Sequence, residues 1–316
     1  MVTQNGVAVS KPLTEGAVAQ IQDSRDYAIS RAVPVVMADS IVGTYKYWDK
    51  NDLARYETEL RQPGATYKRV DLDVAEKAYR CEGYGLKTGI AVENSFELGG
   101  NPMQTAADYL VDQGLQTIET IGFSKLMTTG LFDNDVSPTV KWDLDASNPI
   151  KDIRAYKVIG RKASRTRMNN AIMTEDVFEA LLENQEIIDR LPTNELRVLT
   201  EEEQLARVFG LDNIYVSRAS NIVVNEGASG EAATSFGEQK MLLFHKSNGN
   251  YVNSPNGALM VVRNNAPGID GAMGMGITNP YFDEDTDEEI IKLKLQFDII
   301  IPAKSCGVFV NDILST

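Results

Sequence analysis

Few residues of this chain have the types and spacing that catalysis or metal binding requires. The only histidine, His245, lies in an apolar run over 240–246 (KMLLFHK) that favours a strand. A histidine in such a run can act as a general base, but it more often has a structural role. One histidine also excludes any site that needs two imidazoles, and with it much zinc and non-haem iron chemistry.

The two cysteines offer no recognisable chemistry either. Cys81 and Cys306 lie 225 positions apart, and neither belongs to a CxxC pair. They therefore indicate no disulfide framework, metal site or redox centre, and they do not point to secretion. No serine stands in a GxSxG sequence. The sequence thus contains no recognisable catalytic set.

Two stretches near the C-terminus partly match ligand-binding motifs. GIDGAMGMG (268–276) has four glycines, but it fits neither GxGxxG nor a P-loop and no helix follows it. We predict a mobile loop there. In FDEDTDEE (282–289), Asp283, Asp285 and Asp287 have calcium-loop spacing, but the expected glycine and the distant glutamate are missing. We predict an exposed charged turn at this point.

The composition excludes several classes of protein. The 316 residues are 43% hydrophobic and 24% charged, which is typical of a folded protein of about two domains. A net charge of −14 argues against a general nucleic-acid binder. No signal peptide is recognisable, and the apolar run over 32–38 is too short to span a bilayer. We expect a soluble protein of the cytoplasm, or of a particle assembled there.

Residues 148–167 reverse the acidic balance. This segment (NPIKDIRAYKVIGRKASRTR) has seven basic side chains and only Asp152 to oppose them. It can be an ordinary solvated helix face, or a surface that contacts an acidic neighbour such as another copy of the chain. The sequence leaves both interpretations open.

Two β-rich runs are separated by a long charged connection. TYKYW (44–48) is aromatic and β-branched, and YRCEGYGL (79–86) alternates large rings with smaller residues. Pro63-Gly64 marks a turn between them. Connections beyond about 15 residues are uncommon in compact domains unless they have a function. We therefore consider a long solvated loop and a two-stranded projection that reaches another molecule.

Three segments give the clearest secondary-structure signals. Asn101-Pro102 provides an N-cap and a first-turn proline, and apolar residues then recur at three- and four-residue steps. This predicts a helix of roughly 24 residues, to about Leu126. Asn148-Pro149 starts a second helix. Apolar and polar residues alternate strictly over 291–299, which predicts a long strand with one packed and one wet face.

Weaker patterns complete the prediction. Thr174 should cap one helix, and a capping box at Thr200 should begin another that ends at Gly210. The first 32 residues are polar with weak periodicity and predict an extended arm or a loosely held segment. Further strands are expected over 168–174, 213–219, 240–246, 258–263 and 306–314.

Several motifs follow one another in a familiar order. They are YKYWDKNDL (45–53), LRQPGA (60–65), YRCEGYGL (79–86), NPMQTAADYLVDQGLQTIETIGFSKL (101–126), NPIKDIRAY (148–156), AIMTEDVFEALLENQEIIDRL (171–191), LTEEEQLARVFGLDNIYVSRA (199–219) and FDIIIPAKSCGVFVNDIL (297–314). Their order and spacing resemble the major capsid protein of tailed bacteriophages, in the lambda-like capsid protein E branch of the Hong Kong 97 fold. The first three are similar to that family's extended loop, the fourth to its spine helix, and the others to its axial domain and return strand.

The resemblance implies an α+β fold of the Hong Kong 97 type with four parts. These are an N-terminal arm (1–35), an extended β-hairpin loop (43–90), a peripheral domain of spine helix and long β-sheet (95–145 and 278–302), and an axial α/β domain (148–275 and 304–316).

The resemblance also implies a structural protein without enzymatic activity or cofactor. It would assemble as pentamers and hexamers into an icosahedral head that encloses double-stranded DNA without sequence-specific binding. Expected partners are other copies of the chain, a portal, a scaffold on a separate chain and, as in some members, a decoration protein. No membrane is involved; the host cytoplasm is the place of assembly and the virion capsid the final location. The residues predicted to contact neighbouring subunits are Tyr45, Trp48, Arg55, Arg61, Pro63, Lys68, Arg69, Lys151, Arg154, Arg161 and Arg165.

Two other functions remain open at this stage. An encapsulin-like nanocompartment shell would share the fold but hold enzymes instead of a genome. A soluble enzyme would have its site around 268–276 and His245. The axial-domain motifs favour the phage branch, and the absence of catalytic motifs disfavours the enzyme.

Overall fold

The computed structural model describes residues 2–4, 7–9, 26–48, 57–69, 74–91, 102–190, 202–221, 234–235, 239–247, 255–263, 269 and 273–315. These residues form helices α1 (Ala28–Ala32), α2 (Pro102–Leu126), α3 (Pro149–Ser164), α4 (Glu175–Glu183), α5 (Gln185–Arg190) and α6 (Glu202–Phe209). The strands are β1 (Val2–Gln4), β2 (Val7–Val9), β3 (Val35–Ala38), β4 (Val42–Trp48), β5 (Val74–Arg80), β6 (Glu82–Ala91), β7 (Asp135–Val136), β8 (Asn170–Thr174), β9 (Asn213–Ser217), β10 (Ser220–Asn221), β11 (Thr234–Ser235), β12 (Met241–Phe244), β13 (Leu259–Arg263), β14 (Met275–Ile277), β15 (Tyr281–Asp283), β16 (Glu288–Ile300) and β17 (Gly307–Val310). The predicted α+β class is confirmed.

The long helix α2 packs on a six-stranded sheet, and both were anticipated by the sequence. The helix ends at Leu126 as predicted, and its apolar stripe is buried at Leu110 and Ile118 and partly buried at Met103 and Ile121. The alternation over 291–299 lies within β16, whose side chains at Leu293 and Leu295 enter the same core as α2. Burying each such side chain contributes roughly 1.5–3 kcal/mol to the free energy of folding. The contact between the apolar stripe of α2 and strand β16 is therefore a major stabilising feature.

Strand β16 is the centre of the six-stranded sheet. One of its edges pairs antiparallel with β6 over ten residues, from Glu288–Ala91 to Phe297–Glu82. The other edge pairs antiparallel with β15, β14 and β13 in turn, and β3 then adds parallel to β13. The turn between β15 and β16 contains the acidic stretch, and its residues 284–287 are exposed, as predicted.

A second sheet of five strands has the order β7-β17-β12-β8-β9. It is covered on both faces, and every residue of β8 and β12 is buried. Ile172 and Leu242 face the core that contains α2. Ala171 and Leu243 face a separate core that is built with helices α3 to α6. The run of buried apolar residues in these strands follows from this two-sided coverage.

Strands β4 and β5 form a two-stranded antiparallel ribbon, with register from Val42–Arg80 to Trp48–Val74. This confirms a β-hairpin form for the predicted extended loop. The turn at Pro63-Gly64 is also present: the Ala65 N–H donates to the Gln62 carbonyl over 3.1 Å, and Gly64 has φ +89°. The described residues 57–69 include no strand.

The structure differs in detail from three local predictions. The last strand ends at Val310, not at 314, and Asp312 beyond it has a left-handed φ of 54°. Thr174 is the N-cap residue of α4, as predicted, but its hydroxyl makes no capping hydrogen bond. Part of the glycine-rich stretch is β14 instead of loop. Gly274 has φ +67°, and a Cβ there would lie 2.7 Å from the Gln296 carbonyl oxygen, which explains a glycine at this position.

Candidate assembly surfaces

The root of the β4–β5 ribbon is fixed to the six-stranded sheet. Strand β5 passes into β6 through Cys81, whose N–H donates to the Ile41 carbonyl over 2.8 Å. Beside it, Asp298 Oδ2 accepts the Arg80 N–H at 3.1 Å, and Asp298 Oδ1 lies 2.5 Å from Lys125 Nζ of α2. Burial raises the pKa of the Cys81 thiol to about 11, so this cysteine is an unreactive packing residue.

Tyr45 anchors the ribbon within its own chain. It was predicted to contact a neighbouring subunit, yet only 5% of it is exposed. Its ring packs in a small cluster with Cys81, Leu259, Val261 and Ile300. The alternation of the strand turns this side chain towards the sheet, so Tyr45 positions the ribbon. Its contact with a neighbouring subunit stays a prediction.

The tip segment, residues 57–69, presents large side chains to solvent. Leu60 is 101% exposed and Tyr67 is 82% exposed. The Arg61 guanidinium lies 4.0 Å from the centre of the Tyr67 ring, and Arg61 Nη1 donates to the Ala65 carbonyl over 2.5 Å. These contacts tie the two sides of the Pro63 turn together. The tip is thus locally ordered while its apolar groups remain uncovered, which is typical of a surface that contacts another molecule.

Lys68 adds a second link across the tip. Its ammonium lies 2.9 Å from Glu59 Oε1 and 3.2 Å from Glu57 Oε2. The hydrogen bond to Glu59, followed by that to Glu57, raises the pKa of Lys68. Trp48 lies at the far end of β4, and Arg69 is exposed at the end of the tip segment. The Trp48 side chain and the whole of Arg55 lie outside the described residues.

The basic segment predicted from sequence forms α3. The Asn148 side chain caps it by accepting the Lys151 N–H over 3.0 Å. One face is buried through Ile150, Ile153 and Tyr156, and burial raises the pKa of Tyr156 to about 12. The opposite face is exposed and basic. Its charged members are Lys151, Arg154, Arg161, Lys162 and Arg165.

Two other basic residues of the segment form hydrogen bonds within the chain and are not part of this exposed face. Lys157 Nζ donates to the carbonyls of Phe209 and Gly210, each over 2.8 Å, and thereby satisfies the end of α6. Burial lowers the pKa of Lys157. Arg167 Nη2 donates to the same Gly210 carbonyl over 2.9 Å. Their charges are therefore used within the chain.

A clamp segment, residues 26–33, connects α2 with the five-stranded sheet. The Glu119 carboxylate of α2 is fully buried and accepts the N–H groups of Ala28 and Ile29, both over 2.9 Å, at the start of α1. It also accepts the Ser217 hydroxyl of β9 over 2.7 Å. Burial raises the pKa of Glu119, and these three hydrogen bonds oppose the rise. One carboxylate therefore joins three elements.

Further contacts hold the clamp segment on both sides. The Tyr27 hydroxyl donates to Asp112 Oδ1 of α2 over 2.6 Å. Arg31 Nη2 donates to the Val216 carbonyl over 3.2 Å, and Arg31 Nη1 lies 3.4 Å from Glu202 Oε2. The predicted arm was expected to be loosely held, but these residues pack into the main core. Its boundary at residue 35 remains a prediction.

The clamp was missed by sequence reasoning, although a signal was present. Glu119 lies on the same helical face as Leu115 and Gly122, so it places an acid inside an apolar stripe. Buried acids need partners, and this one indicates a local polar contact. A Cβ at Gly122 would approach Ile29 Cγ2 to 2.6 Å, so the glycine permits the close approach of α1.

The candidate catalytic residues do not form a catalytic group. His245 Nδ1 lies 2.7 Å from the Arg167 carbonyl oxygen, which is a structural contact at the end of β12. Cys306 is buried, and its thiol lies 3.7 Å from the Thr166 hydroxyl. Within the described ranges, no three His, Cys, Asp or Glu side chains are grouped to hold a metal ion. None of the described helices is long and apolar enough to span a membrane.

Comparison with known proteins identifies the fold. No protein-family model and no curated protein matches the chain. Its structure is similar to a phage-related protein from Bordetella bronchiseptica, with a TM-score of 0.74 and 16% identity over 97% of this chain and 98% of that one. It is also similar to the mature capsid of bacteriophage PhiM1 (TM-score 0.55, 12% identity, 88% and 85% covered). It is also similar to the SrpI encapsulin from Synechococcus elongatus, with a TM-score of 0.55 and 10% identity over 91% of this chain and 89% of that one. The chain has the Hong Kong 97 capsid fold, as the motif resemblance implied.

Proposed function

We propose that this chain is the major capsid protein of a tailed bacteriophage and assembles as pentamers and hexamers into an icosahedral head around double-stranded DNA. The observation that carries the proposal is the extent of the fold. The similarity to the Bordetella phage-related protein spans 97% of this chain and that to the PhiM1 capsid spans 88%, which supports a shell-forming architecture for nearly all of it. Its function would then be mechanical and would involve no catalysis or cofactor.

The surfaces described above suit such a role. The tip of the extended loop, with Leu60 and Tyr67 uncovered, would lie on a neighbouring subunit, and the N-terminal arm would overlap another. Obligate interfaces typically bury about 2,000 Å² or more, and many modest contacts add up through multivalency. In this proposal Arg61, Pro63, Lys68 and Arg69 form part of the loop contact, while Lys151, Arg154, Arg161 and Arg165 form part of the axial-domain contact.

The acidic charge of the chain supports enclosure of DNA without tight binding. A net charge of −14 gives the wall little attraction for phosphate groups, so packed DNA can move along it. The proposal places a separate scaffold, a portal and, where used, a decoration protein beside the shell. It places assembly in the host cytoplasm and the finished protein in the virion, and it retains the four-part division of the chain into arm, loop, peripheral and axial domains.

A nanocompartment shell is the second candidate. The SrpI encapsulin is as similar in structure as the PhiM1 capsid, both with a TM-score of 0.55. The phage assignment is favoured because the motifs of the axial segments resemble the phage branch.

Electron microscopy of the purified protein tests the proposal. We expect closed icosahedral shells or their capsomers when the chain is expressed alone or with its scaffold. A stable monomer at high concentration on size exclusion would refute shell formation. Particles purified from lysed host culture should contain double-stranded DNA and a portal; particles that instead contain an enzyme cargo would establish the nanocompartment alternative.

A further inference from the structure

The exposed face of α3 combines positive charge with an apolar centre. Val158 and Ile159 are 42% and 37% exposed and lie between Arg154 and Arg161. An apolar centre with a charged rim is the usual composition of a protein contact, whereas a purely solvated face has no need of it. Within the described part of the chain, Lys151, Arg154, Arg161 and Lys162 form no ion pair. Among the described residues, these four cations therefore have no acidic partner.

Helix α4 presents the opposite charge. It buries Val177, Phe178 and Leu181, and its other side has acids at steps of three and four residues. The exposed acids are Asp176, Glu179 and Glu183. Glu179 and Glu183 likewise have no cationic partner among the residues described.

The two helices cover different halves of the same sheet. Helix α3 packs on β17, and α4 packs on β8 and β9, while α5 contacts both helices. Because β12 and β8 separate β17 from β9 in the sheet order, the basic and acidic faces lie at different places on one domain. A single chain thus carries two complementary surfaces.

The charges on the two faces can be paired across a contact. Arg154 and Arg161 are seven residues apart, about 10.5 Å along α3, and Glu179 and Glu183 are four residues apart, about 6 Å along α4. The difference of about 4.5 Å is within the reach of long arginine side chains. Two such helices laid side by side can therefore pair both charges.

We propose that α3 of one subunit docks on α4 of the next subunit in a ring. The occupant of the basic face is thus a second copy of this chain, and the contact is head-to-tail, which closes rings when the rotation permits. This inference rests on the proposed function, because it specifies the axial-domain contact of a shell. A nucleic acid is the competing occupant, but phosphate binding would explain neither the apolar centre nor the exposed acidic face of α4.

Charge exchange tests the contact directly. One variant carries Arg154→Glu with Arg161→Glu, a second carries Glu179→Lys with Glu183→Lys, and a third carries all four changes. Each reversal places like charges opposite each other, so we expect the concentration required for shell formation to rise at least about tenfold. The fourfold variant has the net charge of the wild type and should assemble within about threefold of it. Arg154→Lys with Arg161→Lys is the conservative control and should assemble normally.

Mixing the two reversed variants gives a stricter test. One variant has two acidic faces and the other two basic faces, so contacts form only between unlike subunits. Alternating subunits can close a ring of six but not a ring of five. We expect the mixture to give six-membered rings or open sheets without closed icosahedral shells. Melting temperatures within about 2 °C of the wild type would show that all the variants fold.

The outcomes separate this inference from the proposed function. If the wild type forms shells and the fourfold variant is folded but does not assemble, the head-to-tail pairing is wrong and the capsid assignment stands. If the Arg154 and Arg161 reversal leaves shells intact and removes only their nucleic acid, the face binds nucleic acid and the inference is overturned. If the wild type forms neither shells nor capsomers, both are overturned.

Discussion

The five-stranded sheet and the β4–β5 ribbon are both built from β-strands, but they are stabilised differently. Every residue of β8 is buried, with one face towards α2 and the other towards the helices α3 to α6. In the ribbon, Tyr45 is buried, whereas Val42 is 59% exposed. A two-stranded ribbon is marginally stable in water by itself. The sheet is thus covered within one chain, whereas the ribbon is covered only in part.

This difference predicts that substitutions in the sheet affect folding and substitutions in the loop affect assembly. Assembly itself raises apparent stability. Each comparison of unfolding free energies below therefore uses protein kept under its assembly concentration.

The largest effect is expected from Phe309→Ala in β17. Phe309 is fully buried between the sheet and α2, so its truncation should cost about 3–5 kcal/mol in free energy of unfolding. Urea unfolding followed by circular dichroism measures the loss. Tyr67→Ala in the loop tip is the matched aromatic control and should cost less than about 0.5 kcal/mol. Equal losses at the two positions would invalidate the contrast between the two regions.

Glu119→Ala in the clamp should have the next largest effect, roughly 2–4 kcal/mol. The substitution leaves the N–H groups of Ala28 and Ile29 and the Ser217 hydroxyl without their acceptor, and buried unsatisfied donors are costly. Urea unfolding again measures the change. Ser217→Ala removes a single hydrogen bond and should cost about 1 kcal/mol; a loss as large as that of the glutamate variant would contradict a shared acceptor.

The difference in stability between the wild type and Glu119→Ala should depend on pH. Burial raises the pKa of Glu119 above its ordinary value of 4.5. At a pH between 4.5 and the raised pKa of the folded state, the folded protein therefore binds more protons than the unfolded chain. Stability from this group therefore falls as pH rises through that window and increases as pH is lowered towards 4.5. The advantage of the wild type over Glu119→Ala should grow in the same direction. An advantage that shrinks as the pH falls would show a lowered pKa.

Deletion of residues 54–76 should abolish shell formation with little effect on folding. The described tip residues 57–69 are nearly all exposed, so the free energy of unfolding should change by less than about 1 kcal/mol. Size exclusion and electron microscopy follow assembly, and urea unfolding follows stability. Normal particles from the deletion variant would exclude the loop as an assembly element.

The smallest effect is expected from Arg61→Ala. The side chain stacks on Tyr67 and donates a hydrogen bond to the Ala65 carbonyl. Its removal should therefore increase the conformational entropy that the tip loses when it binds a neighbouring subunit. Light scattering should show assembly slowed a few-fold, with less than about 0.5 kcal/mol change in unfolding. Arg61→Lys keeps the charge but loses the planar stacking group. If the lysine variant assembles like the wild type, the rate of assembly depends on the charge of Arg61 and not on its stacking against Tyr67.

Local patterns predicted the elements of this fold better than their partners. The Asn-Pro pairs and the apolar stripes located α2 and α3 because caps and periodicity act over a few residues. The alternation in β16 identified its two faces, but nothing local specifies that β6 pairs with one edge and β13 to β15 with the other. Such partners are chosen by packing between distant segments.

The same limit applies to the candidate contacts. The exposed charges of Arg154 and Arg161 were predicted correctly from a basic segment, because their helix has a clear apolar side. The burial of Tyr45 within its own chain was not anticipated, because an aromatic strand residue has no sequence mark that says which face is covered. Glu119 was overlooked because its partners are backbone groups about 90 residues away, which carry no side-chain signature.

The direct passage of β5 into β6 determines how force on the loop reaches the body of the protein. Ten consecutive residue pairs join β6 to β16, and their hydrogen bonds lie across the strand direction. A pull along the loop would therefore load these bonds in shear, together, instead of opening them one at a time. In the proposed capsid, expansion or internal pressure would place such tension on the links between subunits, and this strand geometry would let the loop bear it without peeling from its own sheet.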